Sequence, residues 1–367
     1  MDSSGNFLLP NNKAELVNKI ISSIPEAPLT STTPASVLII DGMALVNTLK
    51  KTQATLTCAD LLRQFIQSCM VLSRHHGQVR VLMDTYLPGS LKEQTRLKRS
   101  GPDPIRYLVK DDTCIKKVSL RTFLSHTGTK QELTGYLCEG LVNTVPGSDK
   151  MIVVDFGGKT LTNTPGLVEF SQTGHEEADT LIPLHVLDVC RHDPAPPRID
   201  IYCKDTDVYT LLLHLVATQE ITSEVWMLAG TADKPKDICL NHHVANLGRK
   251  KSEAVLGLHA FTGGDWGGKF SGVTKERWTQ RFLELDEDSD VITALQNLGT
   301  DPQSNDDDLS FESFVCLVYD KSGKCTSTNK LRWESYRTKG SEGENLPPTR
   351  GAIVQHFRRA WLAAVIR

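Results

Sequence analysis

Short apolar runs, separated by polar segments and longer amphipathic stretches, dominate the first 250 residues of the chain. We predict β-strands at these runs, because each is a brief apolar cluster bounded by polar residues; they cover 36–41, 78–84, 151–155, 167–170, 199–203 and 224–228. The first run, Ser-Val-Leu-Ile-Ile-Asp, is continuously apolar rather than alternating. That pattern is typical of a parallel strand buried on both faces of its sheet.

Helical patterns separate most of these strands. Apolar residues recur at spacings of three and four within 58–74, 176–191 and 208–219, as they do on one face of a helix. Alternating strands and helices predict an α/β fold with a mostly parallel twisted sheet and helices on both faces. Residues 151–166 are interpreted as a hairpin inserted before the acidic segment at 176–179. Asp155, which lies in this hairpin, is therefore expected to have a structural role rather than a role in ligand binding. After about residue 250 the strand signals fade and helices dominate.

Composition shifts along the chain predict a polar N-terminal extension (1–35), an α/β core (36–250) containing a basic insertion (89–121), an acidic linker (286–312) and a helical C-terminal region (313–367). Residues 251–285 lie between the core and the linker.

The overall charge of the chain hides two opposed regions. The 367 residues include 41 basic and 44 acidic side chains, a net charge of −3, which argues against coating nucleic acid or an anionic membrane through bulk charge. However, 89–121 holds nine basic and four acidic residues, a balance of +5, and 283–312 holds ten acids and no base. Local engagement of a phosphate backbone therefore stays open.

Cysteine usage and the N-terminus predict a soluble, intracellular protein. The nine cysteines are scattered and form no C-x-x-C, so a disulfide framework is disfavoured. The N-terminus lacks the pattern of a signal peptide, and no apolar stretch approaches the ~20 residues of a membrane span. A zinc site is also disfavoured, because the Cys239-Leu-Asn-His-His243 segment lacks a second pair of ligands.

Acidic residues recur where predicted strands end or the next helix begins. They are Asp41, Asp84, Glu176, Glu177, Asp179, Asp205, Asp207 and Asp265. Each one could be only a helix cap or a partner of the helix dipole. Ligands of α/β sheets, however, bind at the carboxyl ends of the strands, and converging carboxylates repel one another unless cations neutralise them. Oxygen ligands suit Mg²⁺ or Mn²⁺, and two such ions about 4 Å apart can promote phosphodiester hydrolysis.

The order of these motifs resembles the flap-endonuclease-like 5′ nucleases of the PIN-like superfamily. The motifs lie within residues 36–280 and are Ile39-Ile-Asp41, Leu82-Met-Asp84, Glu176-Glu-Ala-Asp179, Asp205-Thr-Asp207 and Thr262-Gly-Gly-Asp-Trp266. The resemblance implies two metal ions. Asp41, Asp84 and Glu177 would hold the first, with Glu176 or Asp179 adjoining, since the E-x-E spacing of the family is not reproduced. The second ion would be held by Asp205, Asp207 and Asp265.

The resemblance also implies basic residues that contact the nucleic acid. The insertion at 89–121 matches the arch of the family, in which Lys92 and Arg99 correspond to the catalytic basic pair, with Arg96 and Lys98 beside them. A solvated basic helix is the alternative for this segment. The resemblance implies a helix-turn-helix-like duplex-binding element at 251–285, whose hairpin would carry Lys269, Lys275 and Arg277, but Thr274 replaces the expected glycine.

We therefore predict a Mg²⁺- or Mn²⁺-dependent nuclease that uses two ions to hydrolyse phosphodiester bonds. Its partner would be nucleic acid, DNA rather than RNA, cut at flaps or 5′ ends, with no membrane involved. The alternative is a catalytically inactive, nuclease-derived module that binds nucleic acid or protein.

Overall fold

The computed structural model describes most of the chain, namely residues 12, 14–27, 36–86, 104–168, 175–192, 194–231, 234–264, 268–300, 305–320, 324–339 and 346–365. The chain divides into two compact units. The sheet unit comprises 30–208 and 221–239, and the helical unit comprises 1–29, 209–220 and 240–367.

Seven strands in the described residues form one sheet in the order β4-β3-β2-β1-β5-β6-β7. Their bounds are β1 (Val37–Asp41), β2 (Gln78–Leu82), β3 (Met151–Phe156), β4 (Lys159–Thr162), β5 (Arg198–Tyr202), β6 (Glu224–Thr231) and β7 (Lys234–Cys239). The five central strands pair in parallel, whereas β4 and β7 pair antiparallel at the two edges. The sheet is therefore mixed, which corrects the expectation of a mostly parallel one.

Of the two edge strands, β4 was expected only as part of the 151–166 hairpin, and β7 escaped prediction because it is polar. β4 reads Lys-Thr-Leu-Thr and β7 begins Lys-Pro-Lys-Asp, and lysine and proline are common on exposed sheet edges. Gly157 and Gly158, with φ of 54° and 79°, form the two-residue turn between β3 and β4. This confirms the predicted hairpin.

The other predicted strands have mixed outcomes. Those at 36–41, 78–84, 151–155, 199–203 and 224–228 correspond to β1, β2, β3, β5 and β6. The strand predicted at 167–170 is wrong over its described part, because Leu167 and Val168 are irregular; 169–170 lie outside the described residues.

Fourteen helices are present in the described part of the chain. They are α1 (Glu15–Ser23), α2 (Gly42–Thr48), α3 (Cys58–Leu72), α4 (Leu120–Phe123), α5 (Thr127–Thr144), α6 (Ala178–Arg191), α7 (Thr206–Thr218), α8 (Leu240–Leu247), α9 (Arg249–Phe261), α10 (Lys275–Glu284), α11 (Asp290–Gln296), α12 (Asn305–Tyr319), α13 (Thr328–Lys339) and α14 (Arg350–Val365).

Helices cover both faces of the sheet. On one face, α3 and α5 contribute Phe65 and Leu137 to an apolar core that includes Leu38, Ile40 and Val81 from the strands. The residues between these along each strand point to the opposite face of the sheet. Helix α6 packs on that face against β1 and β2. The expectation of helices on both faces is thus confirmed.

A buried polar network fastens α6 to the sheet. Arg80, at the centre of β2, is fully buried and its Nη1 lies 2.5 Å from Asp188 Oδ2 on α6. The same Nη1 lies 3.2 Å from His185 Nδ1, and His185 Nε2 lies 3.3 Å from Asp155 Oδ2 on β3. Thr160 donates a 3.0 Å hydrogen bond to the same oxygen. The network therefore links two strands to the middle of one helix.

The tautomer of His185 follows from these partners. A guanidinium can only donate, so Nδ1 of His185 accepts from Arg80 and the proton resides on Nε2, directed at Asp155. Burial, together with the charge of Arg80, lowers the pKa of His185. A neutral imidazole fits both contacts.

The helical unit has its own aromatic core. Phe261 of α9 lies 4.6 Å, centroid to centroid, from Phe311 of α12, and Trp278 of α10 lies 5.1 Å from Phe314. The segment 286–312 was expected to be an acidic linker, but it contains α11 and the beginning of α12. Its apolar residues Ile292 and Phe311 are buried, and so is Glu312, whereas the other described acids of the segment are exposed or half-buried.

The N-terminal extension also contributes to this core. Leu16, Val17 and Ile20 of α1 are buried, and α1 packs against α10. Within the described part of the chain, none of the helices combines the length and apolar character that a membrane crossing requires.

We expect Asp188→Ala to destabilise the protein by about 3 to 5 kcal/mol, because it leaves the Arg80 charge buried without its carboxylate. The double variant Arg80→Met/Asp188→Leu should recover most of this loss, since neither member of the ion pair is then left buried without the other. Urea denaturation measures both free energies. Arg106→Ala, which removes the more exposed ion pair with Glu132, is the control and should change stability little. Equal losses in Asp188→Ala and Arg106→Ala would contradict this account.

Candidate metal centre

Carboxylates gather where β1, β2 and β5 end. These strands are neighbours and run parallel, so their carboxyl ends meet at one edge of the sheet. Asp41 is the last residue of β1, and its register partner on β2 is Leu82, two residues before Asp84. Asp205 and Asp207 follow β5 and lead into α7.

Both carboxylate oxygens of Asp41 accept hydrogen bonds. Its Oδ1 accepts from the backbone N–H of Ala44 at 3.0 Å and caps α2, as the simple capping alternative predicted. Its Oδ2 accepts from the Cys203 thiol at 3.7 Å. Burial, and secondarily the charge of Asp84, raises the pKa of Asp41. The cap therefore orients a carboxylate that also faces its acidic neighbours.

Gly42 explains how α2 can begin so close to β2. A Cβ at this position would lie 3.0 Å from the Leu82 carbonyl oxygen and would collide with the side chain of Met83. The absence of a side chain thus lets Asp41 sit beside the end of the neighbouring strand.

Asp84 connects the end of β2 to the beginning of α6. Its Oδ1 accepts from the backbone N–H of Ala178 at 3.1 Å, while Glu177, the capping residue of α6 by position, makes no side-chain cap. The Thr85 N–H donates to the Glu176 carbonyl oxygen at 2.8 Å. A carboxylate from another strand therefore satisfies an orphan N–H of this helix.

Asp179, in the first turn of α6, lies among the other acids. One ligand atom from each of Asp41, Asp179 and Cys203 can be chosen so that all three lie within 4.8 Å of one another. Burial is the largest effect on Asp179, and repulsion adds to it. Together they raise its pKa to about 8, the repulsive neighbours being Asp205, Asp84, Asp41 and Asp207.

The loop after β5 is shaped by its own side chains. The Asp207 N–H donates to Asp205 Oδ1 at 2.8 Å, and the Asp205 N–H donates to the Cys203 sulfur at 3.4 Å. These bonds turn the chain directly into α7 and keep both carboxylates near Asp179, whose pKa they raise.

Glu176 and Glu177 are half-buried at the start of α6, and their roles as ligands stay predictions. Of the three acids in this motif, Asp179 is the one that joins the group with Asp41 and Cys203. The remaining predicted ligand and the basic residues of the arch lie outside the described residues; they are Asp265, Lys92, Arg96, Lys98 and Arg99.

The basic residues predicted in the duplex-binding hairpin belong to the helical unit. Lys269 is half-buried and Lys275 is buried, and Arg277 donates to the Tyr319 carbonyl oxygen at 3.2 Å. Thr274, which replaces the expected glycine, caps α10 by accepting from the Arg277 N–H at 3.2 Å. Contact of these residues with nucleic acid stays a prediction.

Cys203 is the member of the site that sequence reasoning missed. It is fully buried, and burial together with the charge of Asp41 raises the pKa of its thiol. The available signal was its position, directly after a strand that neighbours β1 and two residues before Asp205. In the sequence it resembled the other apolar-segment cysteines, which behave as small hydrophobes.

The arrangement fits a divalent cation. Carboxylate oxygens are hard donors of the kind that Mg²⁺ and Mn²⁺ accept, and the thiol adds a softer one. Without a cation, the cluster lowers its repulsion by keeping Asp179 protonated. A cation would remove the need for that proton.

No protein-family model matches the chain, and no curated protein matches it. Among solved structures, the chain is similar to the D15 flap endonuclease of bacteriophage T5, crystallised as a pseudo-enzyme-product complex with DNA and metal ions: TM-score 0.40, 11% identity, covering 90% of this chain and 100% of that one. A second structure of T5 D15, co-crystallised with metal ions, has a TM-score of 0.39 and 12% identity, and the match covers 90% of this chain and 99% of that one. At these TM-scores, the case for a function depends on the chain's own residues.

We expect the metal-free protein to lose stability as the pH rises toward 8. Folding raises the Asp179 pKa from its ordinary 3.8 to about 8, so the native state holds a proton that the unfolded chain releases near pH 4. The resulting stabilisation is complete below that pH and is lost by about pH 8. In EDTA, the melting temperature of wild type should therefore fall more steeply between pH 5 and 8 than that of Asp179→Asn.

Two further measurements sharpen this test. Glu139→Gln, which removes an exposed acid of α5, should retain the wild-type slope. At pH 8, added Mn²⁺ should raise the melting temperature of wild type more than that of Asp179→Asn. Identical pH slopes in wild type and Asp179→Asn would refute the assignment of the proton.

Proposed function

We propose that the protein is a divalent-metal-dependent nuclease that hydrolyses phosphodiester bonds. The observation that carries the proposal is the position of Asp179, where burial and, in addition, repulsion by neighbouring carboxylates raise its pKa to about 8. A fold gains nothing in stability by bringing these charges together. Perturbed carboxylates grouped at the carboxyl edge of an α/β sheet are the mark of a functional site.

The ligands would be the carboxylates of Asp41, Asp84 and Asp179, with Asp205 and Asp207 beside them. From the motif resemblance we add Glu176, Glu177 and Asp265 as candidate ligands. Divalent ions held there would supply charge neutralisation and water activation for attack on a phosphodiester. The proposal includes two ions, which would be Mg²⁺ or Mn²⁺.

The chain's own contribution is to preorganise these oxygens. Asp41 is oriented by the Ala44 N–H and Asp84 by the Ala178 N–H. The backbone thus fixes one oxygen of each carboxylate, while the second oxygen of Asp41 accepts from the Cys203 thiol. Such supporting hydrogen bonds hold a site near its working geometry before the ligand arrives.

Lys92 and Arg99 would bind the phosphate that is cut and offset the charge it develops. They are seven residues apart and would share a helical face. The substrate would be nucleic acid, with DNA favoured over RNA and with flaps or 5′ ends as the preferred structures. These finer statements rest on the motif order of the sequence.

The test is cleavage of labelled flap, single-stranded and duplex DNA and RNA, with Mg²⁺, with Mn²⁺ and with EDTA. We expect metal-dependent cutting that falls by about 100-fold or more in Asp179→Asn and in Asp205→Asn/Asp207→Asn, because ligand oxygens are lost. Glu139→Gln, an exposed-acid control in the same unit, should cut like wild type.

Two outcomes would overturn the proposal in different ways. Cutting that survives the Asp205→Asn/Asp207→Asn double variant would show that these carboxylates are not the centre. Absence of cutting of every substrate by the wild type, in both metals, would favour the alternative of an inactive module that binds nucleic acid or protein.

A further inference from the structure

Helix α13 of the helical unit is packed over only part of its length. Thr328 and Leu331, near its beginning, are buried, and Glu312 of α12 accepts hydrogen bonds from the Thr328 N–H and hydroxyl at 2.8 and 3.0 Å. From Arg332 to Thr338, every residue is exposed or half-buried. Short helices are marginal without tertiary packing, so this half of α13 is a surface that an occupant would stabilise.

Two aromatic side chains stand on this surface. Trp333 is 61% exposed and Tyr336 is 59% exposed. They are three residues apart and therefore on the same face of the helix; their ring centroids are 6.4 Å apart and the ring planes differ by 31°. The result is a pair of flat, accessible rings inclined only modestly to each other.

Positive charge flanks the rings. Lys330, whose side chain is 69% exposed, precedes Trp333 by three residues, and the exposed Arg337 follows it by four, so both belong to the aromatic face. Glu334 lies 4.0 Å from Lys330 and makes only a weak surface pair. In sequence the helix carries Lys330, Arg332, Arg337 and Lys339 against this one acid, a balance of +3.

We propose that this aromatic–basic face of α13, formed by Lys330, Trp333, Tyr336 and Arg337, binds single-stranded nucleic acid. Exposed rings offer stacking platforms for unpaired bases, and nearby cations bind the phosphates that join those bases. A partner helix would instead require aliphatic residues beside the rings, whereas the neighbours of the rings at helical spacing include Lys330, Arg332 and Arg337. The inference goes beyond the proposed nuclease activity, because it concerns binding by another unit of the chain.

The test is binding of the full chain to fluorescently labelled single-stranded DNA and RNA of about 12 nucleotides. Anisotropy is measured in EDTA, so that metal-dependent cutting does not interfere. We expect Trp333→Ala/Tyr336→Ala to weaken binding by about tenfold or more. Trp333→Phe/Tyr336→Phe keeps both rings and should remain within about twofold of wild type. Lys330→Gln/Arg337→Gln should weaken binding and reduce its salt dependence.

The matched control is Leu362→Ala/Val365→Ala on α14. These aliphatic residues are 55% and 49% exposed and share the three-residue spacing of the aromatic pair, so their loss should leave the affinity unchanged. Glu139→Gln, the exposed-acid control of the sheet unit, should also bind like wild type. Binding is measured in EDTA and cutting in Mn²⁺, so failure of this proposal and failure of the nuclease proposal give different results.

Several results would overturn the proposal. One is absence of binding by wild type, and another is equal loss of affinity in the aromatic and aliphatic double variants. A third is a change of oligomeric state in solution in Trp333→Ala/Tyr336→Ala without a change of affinity. That result would assign the face to contact between copies of the chain.

Discussion

Mutual repulsion between carboxylates at one edge of the sheet is the constraint on which the rest of the sheet unit depends. Asp179 is the residue most affected, because burial and four neighbouring acids oppose its charge. The helix that carries it must therefore be held in place by contacts elsewhere. Two sets of contacts do this: Asp84 binds the first turn of α6 at Ala178, and Arg80 binds its middle at Asp188.

We interpret the Arg80 network as a set of contacts that positions α6 on the sheet. A buried ion pair adds little net stability over apolar packing of the same volume, so stability alone does not account for an arginine at the centre of β2. Unlike apolar packing, however, its hydrogen bonds fix a rotation and a register. Arg80 joins Asp188 to the sheet, and His185 joins the same helix to Asp155 of β3. These contacts set where the first turn of α6, and thus Asp179, is placed.

The sequence predicted the central strands and the acidic edge because both depend on local pattern. The apolar runs that end in Asp41 and near Asp84 can each be recognised as a strand from a few neighbouring residues. The edge strand β7 could not be found this way, since its sequence begins Lys-Pro-Lys-Asp and its strand character depends on pairing with β6. The Arg80–Asp188 pair joins residues 108 positions apart, a distance at which no pattern in one sequence connects them. The roles of Cys203 and of the buried apolar positions of α11 and α12 likewise depend on residues that are close in space but distant in sequence.

Charge also explains how a nearly neutral chain can engage an anionic partner. The net charge of −3 includes carboxylates that repel one another at the sheet edge and that bound cations would neutralise. It also includes the acids on α11 and α12, which, apart from the buried Glu312, are exposed or half-buried. Once these are set apart, the exposed face of α13 is locally cationic and aromatic, which is the combination that unpaired nucleotides require. Net charge thus reports on nonspecific adhesion, whereas the positions of the charges within each unit decide what that unit can bind.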